Sequence, residues 1–429
     1  MTTPFRIGIA GLGTVGAGVV DLIARHGAAL AAKAGRPLEI AAVSARNRGR
    51  DRGADISAIP WEDDPVALAR RADVDCVVEV IGGSDGPARA VVETALGEGR
   101  HVVTANKALI ARHGQALAET AEAAGAGLAC EAAVAGGIPV LKTLGEGLAG
   151  NAIARVSGVL NGTCNYILTE METGGHAYDD VLAEAQRLGY AEADPTMDVG
   201  GIDAAQKLAI LAALAFGTRV DEGGVVTEGI ERITLTDIRM ARDMGFAIKL
   251  LAIARMHEDG LEQRVRPCMV PRGTVIGGLP GVTNAVAIEG DAVPHTALTG
   301  PGAGAGPTAS AILADVVDLA RGAVRPLFAR PAASLAPATR LAHGAEHSPY
   351  YLRFSLEDRP GALAALASAL GESGISIHRM RQYGRGEEPV PVVIVTHDCR
   401  RDAIDRALGA IAALPVSLAE PVAIQIEES

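Results

Sequence analysis

Short apolar runs rich in β-branched residues alternate with longer alanine-rich stretches through the first part of the chain. The apolar runs are FRIGIAG, LEIAAVSA, DCVVEVIG, HVVTAN and GLACEAAV. Strands that alternate with helical stretches are typical of a parallel sheet covered by helices on both faces. We therefore predict a doubly wound α/β domain over residues 1–130.

The pattern changes three times beyond this domain. Residues 131–304 combine long helical stretches with glycine-rich turns and favour an α+β domain. An apolar helix then follows at about 305–325, and we expect it to return to the first domain. Residues 326–348 have the proline and alanine content of a linker. In residues 349–429, the order of segments predicts βαββαβ, a ferredoxin-like module.

Composition narrows the possible partners. The net charge of −12 argues against nucleic acid or an anionic membrane as the main partner. The five cysteines form no CxxC pair and the ten histidines form no HExxH motif, so neither a disulfide framework nor a catalytic metal is indicated. The N-terminus has no signal-peptide pattern, and the run LAILAALAFG is shorter than the ~20 residues that span a bilayer. We expect a cytoplasmic protein.

A glycine-rich turn follows the first predicted strand. Gly11, Gly13 and Gly16 have the GxGxxG spacing, with Thr14 and Val15 between the last two. The first glycine permits a tight turn, the second lets the backbone approach a pyrophosphate, and the third permits close helix–strand packing. Because the N-terminus of the next helix attracts phosphate, we predict a Rossmann-type dinucleotide site that includes these five residues.

The end of the second predicted strand indicates which dinucleotide is preferred. NAD-binding domains place a carboxylate there for the ribose 2′-hydroxyl, whereas this chain has Ser44 and Arg46, followed by Arg48 and Arg50. A hydroxyl and a guanidinium bind a 2′-phosphate, which a carboxylate would repel. We predict a preference for NADP(H), with NAD(H) also used. The alternative is a solvated basic loop.

Two other turns are placed to reach the nicotinamide or the substrate. Thr104, Asn106 and Lys107 directly follow a predicted strand, and ligands of such sheets bind beyond the carboxyl ends of the strands. A surface lysine is the alternative for Lys107. Gly304 precedes the returning helix, and we expect it to let the backbone pass close to the nicotinamide.

The stretch GYAEADPTMDVGGIDAAQK gathers carboxylates around one lysine. Asp203 and Lys207 are i,i+4 neighbours at the start of a helix, with Glu192, Asp194 and Asp198 before them. An exposed ion pair is the alternative, but the following turns are almost wholly apolar, as in a buried helix. Hydride transfer to a carbonyl leaves an alkoxide that needs a proton, and a lysine can supply it. Spare carboxylates could bind a substrate ammonium, which indicates an amino-acid-like substrate.

The run AQRLGYAEADPTMDVGGIDAAQK resembles the signature of homoserine dehydrogenases. The blocks GLGTVG, EVIGG, TANKALIA, EAAVAGGIPVL, LNGTCNYIL and GPGAGAGPTAS look like that family's blocks, in the same order, and the resemblance covers nearly the whole chain. Because no kinase-like region precedes the predicted nucleotide fold, we expect a monofunctional member. The resemblance implies interconversion of L-aspartate 4-semialdehyde and L-homoserine with NAD(P)H. That reaction belongs to threonine, methionine and isoleucine biosynthesis.

The resemblance also implies roles for single residues. Lys207 would be the proton donor and acceptor, Asp203 and Glu192 would bind substrate, and Lys107 would lie between nicotinamide and substrate. Further substrate contacts are implied at Asp198 and Tyr190. We expect Gly162 and Thr163, in the turn of LNGTCNYI, to donate to the substrate carboxylate, and Cys164 to serve in packing. Either lysine could perform the proton step; we favour Lys207.

In the resembled family, backbone carbonyls of the block CEAAVAGGIPVL hold a monovalent cation, Na⁺ or K⁺. The corresponding residues are Glu131, Val134, Gly136 and Ile138. Glycines free carbonyls to point inward, which is compatible with such a site. The alternative is a simple crossing point between two domains.

The last segment resembles an ACT domain. In LEDRPGALAALASALGESGISI, Pro360 and Gly361 turn a strand into a helix, with Asp358 near its start. Such modules pair side by side and bind an amino acid, so we expect threonine as a feedback inhibitor and a homodimer or homotetramer. A purely dimerising module is the alternative. A chain ending before residue 345 is expected to keep catalysis and lose threonine inhibition.

Two other functions compete with this interpretation. A dehydrogenase acting on a phosphorylated aldehyde would need a cysteine nucleophile, for which the sequence offers no convincing context. A regulator on the same fold could sense NADP and an amino acid without catalysis. A regulator has no need of a proton relay, so the set Lys207, Asp203 and Glu192 argues against it.

Overall fold

The computed structural model describes residues 3–382 and 390–427. The first domain contains, in chain order, β1 (Phe5–Ala10), α1 (Thr14–Ala34), β2 (Leu38–Ser44), α2 (Pro65–Arg70), β3 (Cys76–Glu79), α3 (Pro87–Gly97), β4 (His101–Thr104), α4 (Lys107–Ala123) and β5 (Leu128–Ala129). Its five strands are parallel, in the order β2-β1-β3-β4-β5. The doubly wound sheet is confirmed. Its strand order changes direction at β1, which opens a crevice beside the glycine-rich turn.

The second domain is built on a mixed sheet. Its elements are α5 (Val140–Lys142), β6 (Ile153–Val159), α6 (Gly162–Gly174), α7 (Tyr178–Arg187), α8 (Thr196–Val199), α9 (Ile202–Phe216), β7 (Val226–Thr227), α10 (Leu235–Asp243), β8 (Phe246–His257), β9 (Gly260–Pro271), β10 (Thr283–Gly290), β11 (Thr296–Pro301) and α11 (Ala305–Ala320). The strand order is β11-β10-β6-β8-β9. Helix α9 packs against β6, β8 and β9, and most of its residues are buried.

Helix α11 leaves the second domain and packs against α1 of the first. The contact is close because Gly18 has no side chain: a Cβ there would lie 2.9 Å from the carbonyl oxygen of Ala305. Helix α1 is long and apolar enough to cross a membrane, but the core helices of soluble proteins also meet these two criteria. In this fold it covers one face of the parallel sheet.

The C-terminal module contains β12 (His347–Ser348), β13 (Tyr350–Leu356), α12 (Ala362–Glu372), β14 (Ile377–Gln382), β15 (Val390–Thr396), β16 (Cys399–Arg400), α13 (Arg401–Ala412) and β17 (Val422–Ile426). The four main strands have the order β17-β13-β15-β14, and β12 pairs with β16. The predicted βαββαβ order is confirmed. Residues 383–389 and 428–429 of the predicted module lie outside the described residues.

The C-terminal module is joined to the second domain by a continuous sheet. Strand β17 pairs in parallel with β9, with Gln425 opposite Cys268. The module also contacts helix α10 of the second domain. The hydroxyl of Tyr351, in β13, donates to the buried carboxylate of Asp237, in α10, at 3.0 Å. One edge of the module is therefore occupied within the chain, and β14 is the other edge. Cutting the chain at residue 345 would expose β9, so point variants are the better test of regulation.

Candidate active site

The three glycines of the first turn have different surroundings. Gly11 has φ +108°, and a Cβ there would lie 2.5 Å from the carbonyl oxygen of Val80. A Cβ at Gly16 would overlap the carbonyl of Gly11. A Cβ at Gly13 would meet no atom of the described residues within 4 Å. Gly13 thus leaves open space where a pyrophosphate could approach the backbone, while the other two permit the turn and its packing.

A cavity of about 850 Å³ lies beside this turn. Its lining includes Gly11, Gly13, Ser44, Arg46 and Arg50. The hydroxyl of Ser44 is buried and has no hydrogen-bond partner among the described residues. A cavity of this size at the crevice of a doubly wound sheet suits a dinucleotide, and an unpaired hydroxyl near two arginines suits a phosphate.

Arg52 also lines the cavity and was not singled out from the sequence. Its guanidinium donates to the carbonyl of Leu12 at 3.1 Å, in the glycine-rich turn, and to the carbonyls of Asn47 and Arg50, in the basic loop. Arg52 therefore ties the turn to the loop. The guanidinium groups of Arg48 and Arg52 both lie over the ring of Trp61, 5.8 Å and 5.5 Å from its centroid.

Thr104 and Asn106 are buried and hold the turn before α4. The hydroxyl of Thr104 donates to Glu79 at 2.6 Å. The side chain of Asn106 caps α4 by accepting from the backbone N–H of Leu109 at 3.1 Å. Glu79, also missed from the sequence, accepts two backbone N–H groups after β3. Both predicted residues thus have internal partners, and Lys107 is the first residue of α4.

Two lysines from different domains meet at one carboxylate. The Nζ of Lys207 lies 2.7 Å from Oδ2 of Asp203, and the Nζ of Lys107 lies 3.1 Å from Oδ1 of the same residue. Lys207 also donates to the carbonyl of Leu160 at 2.8 Å. The side chain of Lys207 is 12% exposed and that of Lys107 is 34% exposed. The predicted pair Asp203–Lys207 is thus part of a partly buried cluster and not an exposed ion pair.

Asp203 remains ionised in this cluster. Burial alone would raise its pKa, but the charges of Lys207 and Lys107, with hydrogen bonds from Lys207 and Asn161, lower the pKa to about 2. Burial raises the pKa of Asp198, and a hydrogen bond from Asn161 partly opposes that rise. The cluster holds two cations beside an ionised carboxylate, an arrangement that can both orient an amine and stabilise developing negative charge.

The remaining predicted substrate residues surround the cluster at different depths. Thr163 lies in the first turn of α6, next to Gly162, and its hydroxyl donates to the carbonyl of Tyr190 at 2.7 Å. The ring of Tyr190 is exposed and lies 5.0 Å from that of Tyr166. Glu192 is exposed, and within the described ranges no ion pair joins it to a lysine. The structure brings together the two lysines and two aspartates, but not Glu192.

Cys164 lies inside α6 and has no solvent exposure. Its thiol contacts the carbonyl of Asp198 at 3.2 Å, and burial raises its pKa. A buried neutral thiol is a poor nucleophile, so its environment is one of packing. All five cysteines are buried and free.

Glu131, Val134, Gly136 and Ile138 lie between β5 and α5, and Gly304 caps α11 with φ +115°. Gly136 has φ +53°, and a Cβ there would overlap the carbonyl of Gly302. The carbonyl of Ile138 accepts from the N–H of Val140 at 2.8 Å. Close approach of a second chain segment explains the glycine, as at a crossing between domains. Across the described residues, no three His, Cys, Asp or Glu side chains form a metal-binding group.

Family comparisons cover almost the whole chain. Residues 11–131 match the model of the homoserine dehydrogenase NAD-binding domain. Residues 139–317 match the homoserine dehydrogenase model, and residues 350–416 match the ACT domain. The matches follow the same order as the three regions of the structure.

The chain is similar to curated relatives over its full length. It is 43% identical to homoserine dehydrogenase of Pseudomonas aeruginosa, covering 99% of both chains, and 41% identical to that of Neisseria gonorrhoeae, covering 96% of both. A crystal structure of a homoserine dehydrogenase from Thiobacillus denitrificans is 42% identical over 99% of both chains, with a TM-score of 0.94. A hyperthermophilic archaeal homoserine dehydrogenase in complex with NADPH is 28% identical, with a TM-score of 0.63, over 74% of this chain and 97% of that one. The chain belongs to the homoserine dehydrogenase family of NAD(P)-dependent oxidoreductases.

Proposed function

We propose that this homoserine dehydrogenase interconverts L-aspartate 4-semialdehyde and L-homoserine with Lys207 as the proton donor and acceptor. The observation that supports this most strongly is the shared carboxylate of Asp203, which contacts both lysines at the start of a buried helix. Two lysines that meet at one ionised carboxylate suit carbonyl reduction, because they can protonate and stabilise an alkoxide. They have no evident purpose in a non-catalytic sensor.

In the proposed reaction, NADPH would, when bound, supply the hydride for the aldehyde carbon. The ammonium of Lys207 gives a proton to the resulting alkoxide, and the amine takes it back in the reverse direction. Asp203 and the carbonyl of Leu160 hold that ammonium from two sides and so fix its direction. Lys107 stabilises the negative charge on the same oxygen from the side of the first domain.

We propose that the substrate lies with its two ends in different polar environments. Gly162 and Thr163, at the N-terminus of α6, would donate to the substrate carboxylate, because that end of a helix favours anions. Asp198 and Glu192 would bind the ammonium, with Tyr190 beside them. Glu192 is exposed, so its role requires the segment between α7 and α8 to close on the substrate.

The cofactor preference is proposed to be NADP(H), with NAD(H) also used. Arg46 and the unpaired hydroxyl of Ser44 would bind the 2′-phosphate, and Thr14, Val15 and the N-terminus of α1 would face the pyrophosphate. Thr104, Asn106 and Gly304 would support the nicotinamide end.

Replacing Arg46 tests that preference. Arg46→Glu should shift the ratio of kcat/KM for NADPH to that for NADH by roughly 10- to 100-fold toward NADH, since a charge-assisted hydrogen bond is worth ~1.5–3 kcal/mol. Arg48→Glu is the matched control, because Arg48 lies in the same loop but is not among the described residues that line the cavity. An unchanged ratio in Arg46→Glu would remove Arg46 from the site.

The C-terminal module is proposed to bind threonine and to pair in a homodimer or homotetramer. Asp358 and Gly361 lie in an exposed turn before α12, and the edge strand β14 is also exposed. Threonine should inhibit the parent enzyme, and Asp358→Ala should weaken inhibition without changing turnover. If the parent is insensitive to threonine, the module serves only in assembly.

The domain limits, the cellular location and a bound cation are further parts of this proposal. We propose the domain limits 1–130 with 305–325, 131–304 and 349–429, and a place in the cytoplasm in threonine, methionine and isoleucine biosynthesis. A monovalent cation at Glu131, Val134, Gly136 and Ile138 is proposed as well. Turnover that depends on K⁺ or Na⁺ at constant ionic strength would support the cation.

The decisive assay for the function follows NADPH absorbance. The parent enzyme should consume NADPH only when aspartate 4-semialdehyde is present. Consumption with other aldehydes alone would indicate a different dehydrogenase. NADPH binding without consumption would indicate the non-catalytic regulator.

A further inference from the structure

Asn161 occupies the turn between β6 and α6, directly beside the charged cluster. It is 3% exposed, and it is the N-cap residue of α6. The preceding residue, Leu160, accepts the hydrogen bond from Lys207 through its carbonyl. This turn therefore contacts both the cation and the anions of the site.

The two ends of the Asn161 amide have different partners. Its Oδ1 accepts from the backbone N–H of Cys164 at 2.8 Å and so caps α6. Its Nδ2 donates to Oδ1 of Asp198 at 2.8 Å and to Oδ2 of Asp203 at 3.0 Å. Because the helix N-terminus requires an acceptor, the amide can face the carboxylates only with its N–H₂ group.

We infer that Asn161 is a positioning residue for the reaction, whose amide holds Asp198 and Asp203 side by side and fixes how Asp203 meets the two lysines. The inference rests on the proposed roles of Asp203 and Lys207. Two ionised carboxylates at one site repel each other, and a donor shared between them offsets that repulsion. The N–H₂ group binds the same oxygen of Asp203 that contacts Lys207, so it also fixes the direction of that ion pair.

The groups that face these carboxylates define what a substitution changes. Asp198 is faced by Asp203, Lys207 and Lys107, and its carbonyl is contacted by the thiol of Cys164. Asp203 is faced by the two lysines and the amide of Asn161. Loss of the amide donor leaves Asp198 without its one hydrogen bond from a side chain among the described residues.

Asn161→Asp separates positioning from helix capping. Aspartate caps a helix as well as asparagine does, so α6 keeps its N-cap. However, the second oxygen of the new aspartate takes the place of the amide N–H₂ group. A hydrogen-bond donor is lost, and a third negative charge faces Asp198 and Asp203. Asn161→Ser is the companion variant, because serine also caps the helix but is too short to replace the amide donor.

The experiment measures kcat/KM for aspartate 4-semialdehyde from pH 5 to pH 9 in the parent and both variants, together with thermal unfolding. In Asn161→Asp, we expect at least a tenfold loss near pH 7 and a shift of the acidic limb to higher pH by about one unit. In Asn161→Ser, we expect a smaller shift in the same direction. Neither variant should lower the melting temperature by more than a few degrees.

The outcomes separate this inference from the proposed function. Profiles that superimpose on the parent in both variants would show that Asn161 only caps α6 and would overturn the inference. If Asn161→Asp does not fold, the profile of Asn161→Ser decides in the same way. A parent enzyme that does not turn over aspartate 4-semialdehyde would overturn both the function and the inference.

Discussion

Two clusters in this chain combine carboxylates with lysine in different proportions: two aspartates with two lysines in the first, and three carboxylates with one lysine in the second. In the first, Asp203 contacts both Lys207 and Lys107, and its pKa falls to about 2. In the second, the ammonium of Lys142 contacts Asp315 at 3.0 Å and Asp318 at 2.6 Å, and Glu131 lies beside Asp315. Burial and the nearby charge of Asp315 raise the pKa of Glu131 to about 7, although backbone N–H groups of residues 141 and 142 donate to its carboxylate. A buried carboxylate that contacts two cations directly stays ionised, whereas protonation is favoured where carboxylates outnumber the cations.

The positions of the two clusters explain the difference. Asp203 lies at the start of α9, where an ionised carboxylate can orient the two lysines toward a reacting oxygen. The second cluster ties α11 to the segment after β5, since the backbone N–H of Glu131 donates to Asp315 at 2.9 Å. We infer that the first cluster serves chemistry and that the second stabilises the junction of two domains.

Replacing one carboxylate in each cluster should show most clearly whether the two clusters have different roles in catalysis. Asp203→Asn should lower kcat/KM by roughly 10³–10⁴-fold, the size of effect that general acid–base groups have, because both lysines lose their shared partner. Glu131→Gln should lower it less than about tenfold, since Glu131 does not contact the lysines of the first cluster. Steady-state kinetics of both variants provides the test, and equal losses would contradict the division of roles.

Removing one lysine from each cluster should show the opposite order for stability. Lys142→Met leaves a buried carboxylate unpaired and should lower the free energy of unfolding by about 3 kcal/mol. Lys107→Met affects a side chain that is 34% exposed and should cost less than about 1 kcal/mol. Urea denaturation measures both values. A larger loss of unfolding free energy in Lys107→Met than in Lys142→Met would contradict the structural role assigned to the second cluster.

The pH dependence of stability should differ in sign between the clusters. The folded-state pKa of Glu131, about 7, exceeds its unfolded value, so this residue's contribution to stability is complete at low pH and is lost as pH rises toward 7. Asp203 has the opposite sign: its contribution is present above about pH 4 and is lost as pH falls toward 2. Glu131→Gln should therefore flatten the stability curve between pH 5 and 7, by about 2 kcal/mol. Parallel curves for parent and variant would refute this.

Local patterns in the sequence predicted much of this molecule. The glycine spacing after β1, the alternation of strands and helices and the i,i+4 pair Asp203–Lys207 each follow from a short stretch. The βαββαβ order also follows from local apolar runs. Blocks of motif in a fixed order then identified the family, which full-length relatives confirm.

Features that depend on how distant segments pack together could not be predicted from the sequence. The contact between Lys107 and Asp203 joins two domains, and no local pattern pairs those residues. Arg52 is one arginine among several in its loop, and its position under the glycine-rich turn emerges only in the fold. The pairing of β17 with β9 depends on which sheet edges meet. Family resemblance implies Glu192 as a substrate residue, and its exposure could not be predicted. The sequence does not specify how far the loop that carries it has closed.

The proton role of Lys207 is tested most directly by turnover with aspartate 4-semialdehyde in Lys207→Met beside the parent, with NADPH binding measured separately. We predict that kcat falls by roughly 10²–10⁴-fold while NADPH affinity is unchanged, because Lys207 lies in the catalytic domain and not along the dinucleotide cavity. A Lys207→Met enzyme that retains near-normal kcat would contradict the account and assign the proton step elsewhere.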